Sequence, residues 1–292
     1  MRIAVAHTLD PSPEHGAAEL IGAVRAQLEG HTPTGAMLWS SIDSDHRALL
    51  DRIGDALGDV PLIGCTTDGE VSSVARFQED SVALIVFADV EVRVGAGRGL
   101  SADPVGAVEQ AVTESRAAEG DLCIALPESL NVRAVSVVAE LAKRLGDVQP
   151  SPAFPLAVFN ASGSFCLRAP MPLTGDDGTI TFAGEVPLGA RVQLTEGGRD
   201  DVLQASARSA DLAMAGFEGT PAAALVFACA ARKQLLGTRT AKEYELLRER
   251  VGPETPVIGF YTYGEIAPHG GSPVADFHNE TIVTVLIGAR DG

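Results

Sequence analysis

Pro61-Leu62-Ile63-Gly64-Cys65-Thr66-Thr67-Asp68-Gly69-Glu70-Val71 is answered near the other end of the chain by Pro256-Val257-Ile258-Gly259-Phe260-Tyr261-Thr262-Tyr263-Gly264-Glu265-Ile266. The shared pattern is P-[LV]-I-G-x-x-T-x-G-E-[VI]. Self-similarity of this kind within one chain points to a repeated structural unit. A second match follows each copy. Phe77-Gln78-Glu79-Asp80-Ser81-Val82-Ala83 corresponds to Phe277-His278-Asn279-Glu280-Thr281-Ile282-Val283.

Outward from these copies the same order of elements recurs. In the first unit, apolar residues at three- and four-residue spacing predict helices over Glu14–Leu28 and Asp45–Leu57. Strands are expected at Gly35–Ser40, Val60–Cys65 and Ser81–Ala88, with another near Val90–Gly97. The last unit predicts helices over Asp200–Gly216 and Thr240–Val251. Its strands are Ala222–Cys229, Pro256–Thr262 and Glu280–Gly288. The strands are short and almost wholly apolar, as strands covered on both faces are.

A middle unit follows the order more weakly. It offers helices at Pro104–Ala118 and Val132–Leu145, then strands at Leu122–Leu126, Phe154–Asn160, Thr179–Ala183 and Arg191–Leu194. The expected fold is therefore α/β, with mixed sheets built from repeated α-β-α-β-β units and helices on the outer faces. The main division falls near Gly198, giving regions 1–198 (two units) and 199–292 (one unit).

Composition narrows the function. The net charge of −17 repels phosphate backbones, and no basic patch offsets it, so nucleic acid is not an expected partner. No apolar run has the length of a membrane span, and the N-terminus reads as a first strand, which leads to the expectation of a cytoplasmic protein without a membrane partner. The four cysteines, Cys65, Cys123, Cys166 and Cys229, are far apart and lack C-x-x-C spacing. They read as buried thiols, not as a disulfide framework or a zinc site. Gly95-Ala96-Gly97-Arg98-Gly99 lacks dinucleotide-site spacing and reads as a loop.

The chemistry gathers at the repeated turn. Glycines permit a sharp reversal there. The turn then brings together backbone N–H groups, a hydroxyl (Thr67, Thr262) and a carboxylate (Glu70, Glu265), a set suited to a small polar ligand. It serves equally as a plain strand connection. More groups gather at the second copy. Strand alternation would send Tyr261 and Tyr263 to one face and Thr262 to the other. His278 and Asn279 follow. Arg232 comes just after the strand ending at Cys229, where ligand crevices of α/β sheets open. It suits a ligand carboxylate or phosphate, or a helix carboxylate of its own chain.

These residues carry a resemblance. Cys229-Ala230-Ala231-Arg232, the stretch Gly259-Phe260-Tyr261-Thr262-Tyr263-Gly264-Glu265, and His278-Asn279 with Thr281-Ile282-Val283 resemble the C-terminal half of a FIST protein. Ile63-Gly64-Cys65-Thr66-Thr67-Asp68-Gly69-Glu70 resembles the N-terminal FIST signature. Regions 1–198 and 199–292 would be the two halves. The resemblance implies a sensory domain in signal transduction that binds small ligands such as amino acids. It puts Arg232, Tyr261, Tyr263, Glu265, His278 and Asn279 on recurrent positions. Some members resemble haem-binding nitric oxide sensors that partner a histidine kinase, with His278 the best candidate here for an iron ligand. No kinase, cyclase or chemoreceptor module accompanies the motif, so output would pass through a separate partner. An enzymatic alternative would use Cys229, His278 and Glu265 as a thiol–imidazole–carboxylate set on a small polar substrate.

Overall fold

The computed structural model describes residues 1–10, 12–127, 149–151, 165–174, 180–183, 185–193, 195, 197–268 and 275–288. The chain begins with β1 (Arg2–Thr8), α1 (Pro13–Leu28), β2 (Pro33–Ser41), α2 (His46–Leu57) and β3 (Leu62–Thr67). Two very short strands follow, β4 (Glu70–Ser72) and β5 (Arg76–Gln78), and then β6 (Val82–Ala88). The middle holds α3 (Pro104–Ser115), β7 (Leu122–Ile124), β8 (Gln149–Ser151), β9 (Pro170–Thr174) and β10 (Ile180–Phe182). The last part holds α4 (Arg199–Ala215), β11 (Ala223–Cys229), α5 (Ala230–Leu236) and α6 (Thr240–Val251). It ends with β12 (Val257–Thr262), β13 (Glu265–Pro268), β14 (Ala275–His278) and β15 (Ile282–Ile287).

Two mixed sheets form the centre. The first has the order β1-β6-β2-β3, with β2 and β3 parallel and the other neighbours antiparallel. The second has the order β15-β11-β12-β4-β5, with β11 and β12 parallel. Strand alternation divides the apolar residues cleanly. Ala4, Ala6, Leu38, Leu84 and Val86 face α1 and α2, where Leu20, Val24, Leu49 and Ile53 meet them. Val5, Met37, Trp39, Ala83 and Ile85 face the other way, against Leu225, Phe227, Ile258 and Phe260 of the second sheet. The outer face of that sheet packs Val226, Ala228, Val257 and Tyr261 against Ala210 of α4 and Tyr244 and Leu247 of α6. The layers run helix, sheet, sheet, helix. The α/β class and the mixed sheets agree with the sequence reading.

One pairing joins the ends of the chain. β4 leaves the first unit and lies antiparallel on β12, with Val71 opposite Gly259 and Glu70 opposite Phe260. The glycine of each P-x-I-G sits where strands approach closely. A Cβ at Gly64 would lie 2.0 Å from the Leu38 carbonyl oxygen, and one at Gly259 would lie 1.7 Å from that of Val226.

The structure departs from expectation in several elements. No strand forms over Val90–Gly97. The Ala96 N–H donates to Glu114 of α3 instead, and the Arg98 N–H to Gln110. Gly95 and Gly97 allow this, because a Cβ on either would meet the α3 backbone. The glycine-rich stretch is thus a loop laid along a helix. Residues 191–193 form no strand. The helix predicted to reach Ala118 ends at Ser115, with a 3₁₀ turn at Ala117–Glu119. Val132–Leu145 and Phe154–Asn160 lie outside the described residues. No helix among the described residues is long and apolar enough to cross a membrane.

Gly259→Ala should cost about 1–3 kcal/mol or more through overpacking against β11. Gly54→Ala, in α2 with open space around it, should stabilise by up to about 1 kcal/mol through helix propensity. Urea midpoints of the two variants against wild type check both signs.

Candidate functional site

The copies at Pro61–Val71 and Pro256–Ile266 build the same clamp. In the first, Thr67 Oγ1 donates to Glu70 Oε1 and Ser81 Oγ donates to Glu70 Oε2. In the second, Thr262 Oγ1 donates to Glu265 Oε1 at 2.7 Å and Thr281 Oγ1 to Glu265 Oε2 at 2.6 Å. Position for position, Thr262, Glu265 and Thr281 reproduce Thr67, Glu70 and Ser81. Both glutamates are fully buried. Burial pushes both carboxyls up, Glu265 to about 8. The second turn is tied further, because the Gly264 N–H donates to Thr262 Oγ1 at 2.8 Å.

Beside the first clamp stands His7, which composition and spacing did not single out. Its Nε2 is 2.8 Å from Ser81 Oγ and its Nδ1 is 2.7 Å from Ser72 Oγ. Ser81 gives its proton to Glu70, so His7 Nε2–H donates to Ser81 and Ser72 donates to Nδ1. The ring is therefore neutral, and burial pushes it down to about 4. Ser72 in turn accepts the N–H groups of Val74 and Ala75. Ser81 and Thr281 occupy matching positions in the segments Phe77–Ala83 and Phe277–Val283. Nothing local pointed to His7.

Arg232 has its partners within the chain. It is 2% exposed and ion-pairs with Glu243 of α6 at 2.6 Å. Its guanidinium also donates to Ser206 Oγ at 2.6 Å and to the carbonyls of Val202 and Glu280. The helix-carboxylate reading of this arginine is the one the structure bears out, although the pair is buried and not at the surface. Tyr261 donates from the same side to Glu243 Oε2. The cavity beside this pair, bounded by Thr240, Glu243, Tyr244 and Tyr261, has room for about one water molecule.

The two tyrosines do not share a face. β12 ends at Thr262, so alternation stops before Tyr263. Tyr261 is buried among α6 and Phe77, whereas Tyr263 is 57% exposed on the turn. Asn279 is buried beneath it. Asn279 Nδ2 donates to the Tyr263 carbonyl at 3.4 Å, and its Oδ1 accepts the Ala169 N–H at 2.9 Å. Nearby, Lys233 Nζ donates to the Asp68 carbonyl at 2.7 Å and lies 2.8 Å from Glu79. His278 is buried, with Nε2 3.0 Å from the Ala267 carbonyl.

Cys229 is buried next to the second clamp, in register with Thr262 on the neighbouring strand. Burial and then the Glu265 carboxyl push its thiol up to about 12. A nucleophilic cysteine needs the opposite shift. The four cysteines carry no disulfide, and Cys65, Cys123 and Cys166 are half-buried. No group of three metal-ligating side chains occurs among the described residues.

Comparison with known families gives two matches. A FIST N domain model covers residues 35–151 and a FIST C domain model covers residues 134–268. No curated protein matches the chain.

Arg232→Met should destabilise by about 3–5 kcal/mol, because it strands Glu243 in the interior; denaturant unfolding measures it. Glu265 makes a pH prediction. Its folded value, about 8, lies above the ordinary 4.5. The unfolded chain therefore loses this proton first, and the stability contributed by Glu265 falls as pH rises through that window. Glu265→Gln should flatten this decline relative to wild type in unfolding series across the window. Parallel curves for the two proteins would refute it.

Proposed function

From the premise that the chain belongs to the FIST family, whose domains are associated with sensory signal transduction, we propose that it is a small-ligand-binding sensory protein. The ligand is a small polar molecule such as an amino acid. The signal passes to a separate partner, such as a histidine kinase. Regions 1–198 and 199–292 act as its N-terminal-like and C-terminal-like halves.

One observation supports this most directly. Tyr263 is an exposed aromatic side chain on a turn that is locked from beneath. Asn279 holds its carbonyl, Thr262 holds the next N–H, and the Glu265 clamp holds the strand that follows. An exposed tyrosine on a rigid support presents a large amphipathic contact at small entropic cost. The clamped groups themselves, Thr67, Glu70, Thr262 and Glu265, act as that support and hold the turns in shape. Arg232 and Tyr261 act one layer further in, fixing α6 to the sheet. His278 and Asn279 belong to the edge of the proposed site.

A panel of L-amino acids, read by thermal unfolding of the full chain, tests the reading. At least one member should raise the melting temperature in a saturable way. Tyr263→Ala should lose that rise, while its ligand-free stability stays within about 0.5 kcal/mol of wild type, as for an exposed position. A Tyr263→Ala variant that binds as wild type does would move the site elsewhere.

A further inference from the structure

The middle of the chain carries a third, altered copy of the repeated sequence. Pro155-Leu156-Ala157-Val158-Phe159-Asn160-Ala161-Ser162-Gly163-Ser164-Phe165 aligns with Pro61–Val71 and Pro256–Ile266 without a gap. Phe182-Ala183-Gly184-Glu185-Val186 aligns in the same way with Phe77–Ser81 and Phe277–Thr281. All three clamp positions have changed. Ala161 stands for the threonine, Ser164 for the glutamate, and Val186 for the second hydroxyl. The acidic group that the other two copies bury is missing from this one.

The same segment supplies a cation. Arg168 is half-buried, and its Nε and Nη1 are buried without a hydrogen-bond partner. Desolvation pushes the guanidinium down to about 10. Its charged neighbour Glu185 is exposed to solvent, where its field is screened. Arg168 is placed at the proposed site by its successor. The Ala169 N–H donates to Asn279, which holds the Tyr263 carbonyl. The other cations of this region are engaged, Arg232 by Glu243 and Lys233 by Asp68 and Glu79. A buried N–H without an acceptor is costly, and a guanidinium is the side chain best suited to carboxylate or phosphate.

We propose that Arg168 is the receptor for a small oxyanion, the carboxylate or phosphate of a ligand bound where residues 165–169 meet the Tyr263 turn. This rests on the ligand-binding reading above and gives it a chemistry. The altered copy carries no carboxyl at the clamp position, and three residues after it stands a cation whose Nε and Nη1 have no acceptor.

The test uses the full chain and four sets of probes: L-amino acids, their amides, succinate and inorganic phosphate. Thermal unfolding should show saturable stabilisation by the carboxylates and none by the amides. Stabilisation by phosphate with silent carboxylates would assign a phosphorylated ligand instead. Arg168→Gln should weaken anion binding by about tenfold or more, the scale of one lost charge-assisted contact. Its ligand-free melting temperature should not fall, because an unpaired buried cation is removed. Arg168→Lys should bind with intermediate affinity, as charge without the planar fork does. The receptor is overturned if amides stabilise as well as acids, if Arg168→Gln keeps the full anion response, or if no probe shifts the wild type. Binding of an uncharged probe that is lost in Tyr263→Ala and kept in Arg168→Gln would remove the anion receptor alone and leave the sensory reading standing.

Discussion

A buried carboxyl group held by two hydroxyls decides where the chain goes after each repeated turn. Glu70 takes its hydrogen bonds from Thr67 at the end of β3 and from Ser81 just before β6. A carboxyl group in the interior without those partners would be costly, by several kcal/mol on the usual scale for desolvated polar groups. The two hydroxyls therefore fix Glu70 between two strands of the first sheet, and the residues after it are carried out of that sheet. Val71 and Ser72 land on β12 of the other. The second sheet gains its β4 and β5 edge from a segment nearly two hundred residues away in sequence. Neither sheet is complete without the first turn.

Much of this was legible in the sequence. Apolar spacing located α1, α2, α4 and α6, and uninterrupted apolar runs located β6 and β11, both buried along their whole length. The duplicated P-x-I-G marked a real constraint, since Gly64 and Gly259 each face a neighbouring carbonyl. What could not be read was pairing at a distance. β4 and β5 are three residues long and have no periodicity to detect. Val90–Gly97 has a strand's composition, yet the N–H groups of Ala96 and of Arg98 just beyond it bond to side chains of α3, a choice made by packing and not by propensity.

The site was legible in kind and less so in role. Glu265, Thr262, His278 and Asn279 do converge, because the motif that names them is a local turn. Arg232 misled because a lone arginine after a strand gives no sign of its partners. Ser206 and Glu243 come from two other helices, and only the fold brings them to it. The tyrosine pair misled because alternation was extended past the end of β12. The place of His7 beside the first clamp was not legible, because a histidine at the end of an apolar strand has no local signature. Its partners Ser72 and Ser81 are each more than sixty positions away.

The satisfied state of these groups bears on where a ligand can be recognised. A carboxyl whose two oxygens are both bonded, or an arginine with acceptors on three sides, has little left to offer a newcomer; binding it would first break a buried bond worth about 1–3 kcal/mol. Repetition makes the contrast visible within one chain. Two copies keep the hydroxyl–carboxyl–hydroxyl set and use it internally. The third has replaced every member of the set in sequence, and three residues after it comes Arg168, the one described arginine with buried N–H groups unmet. A chain of net charge −17 has few cations to leave in that condition without a use.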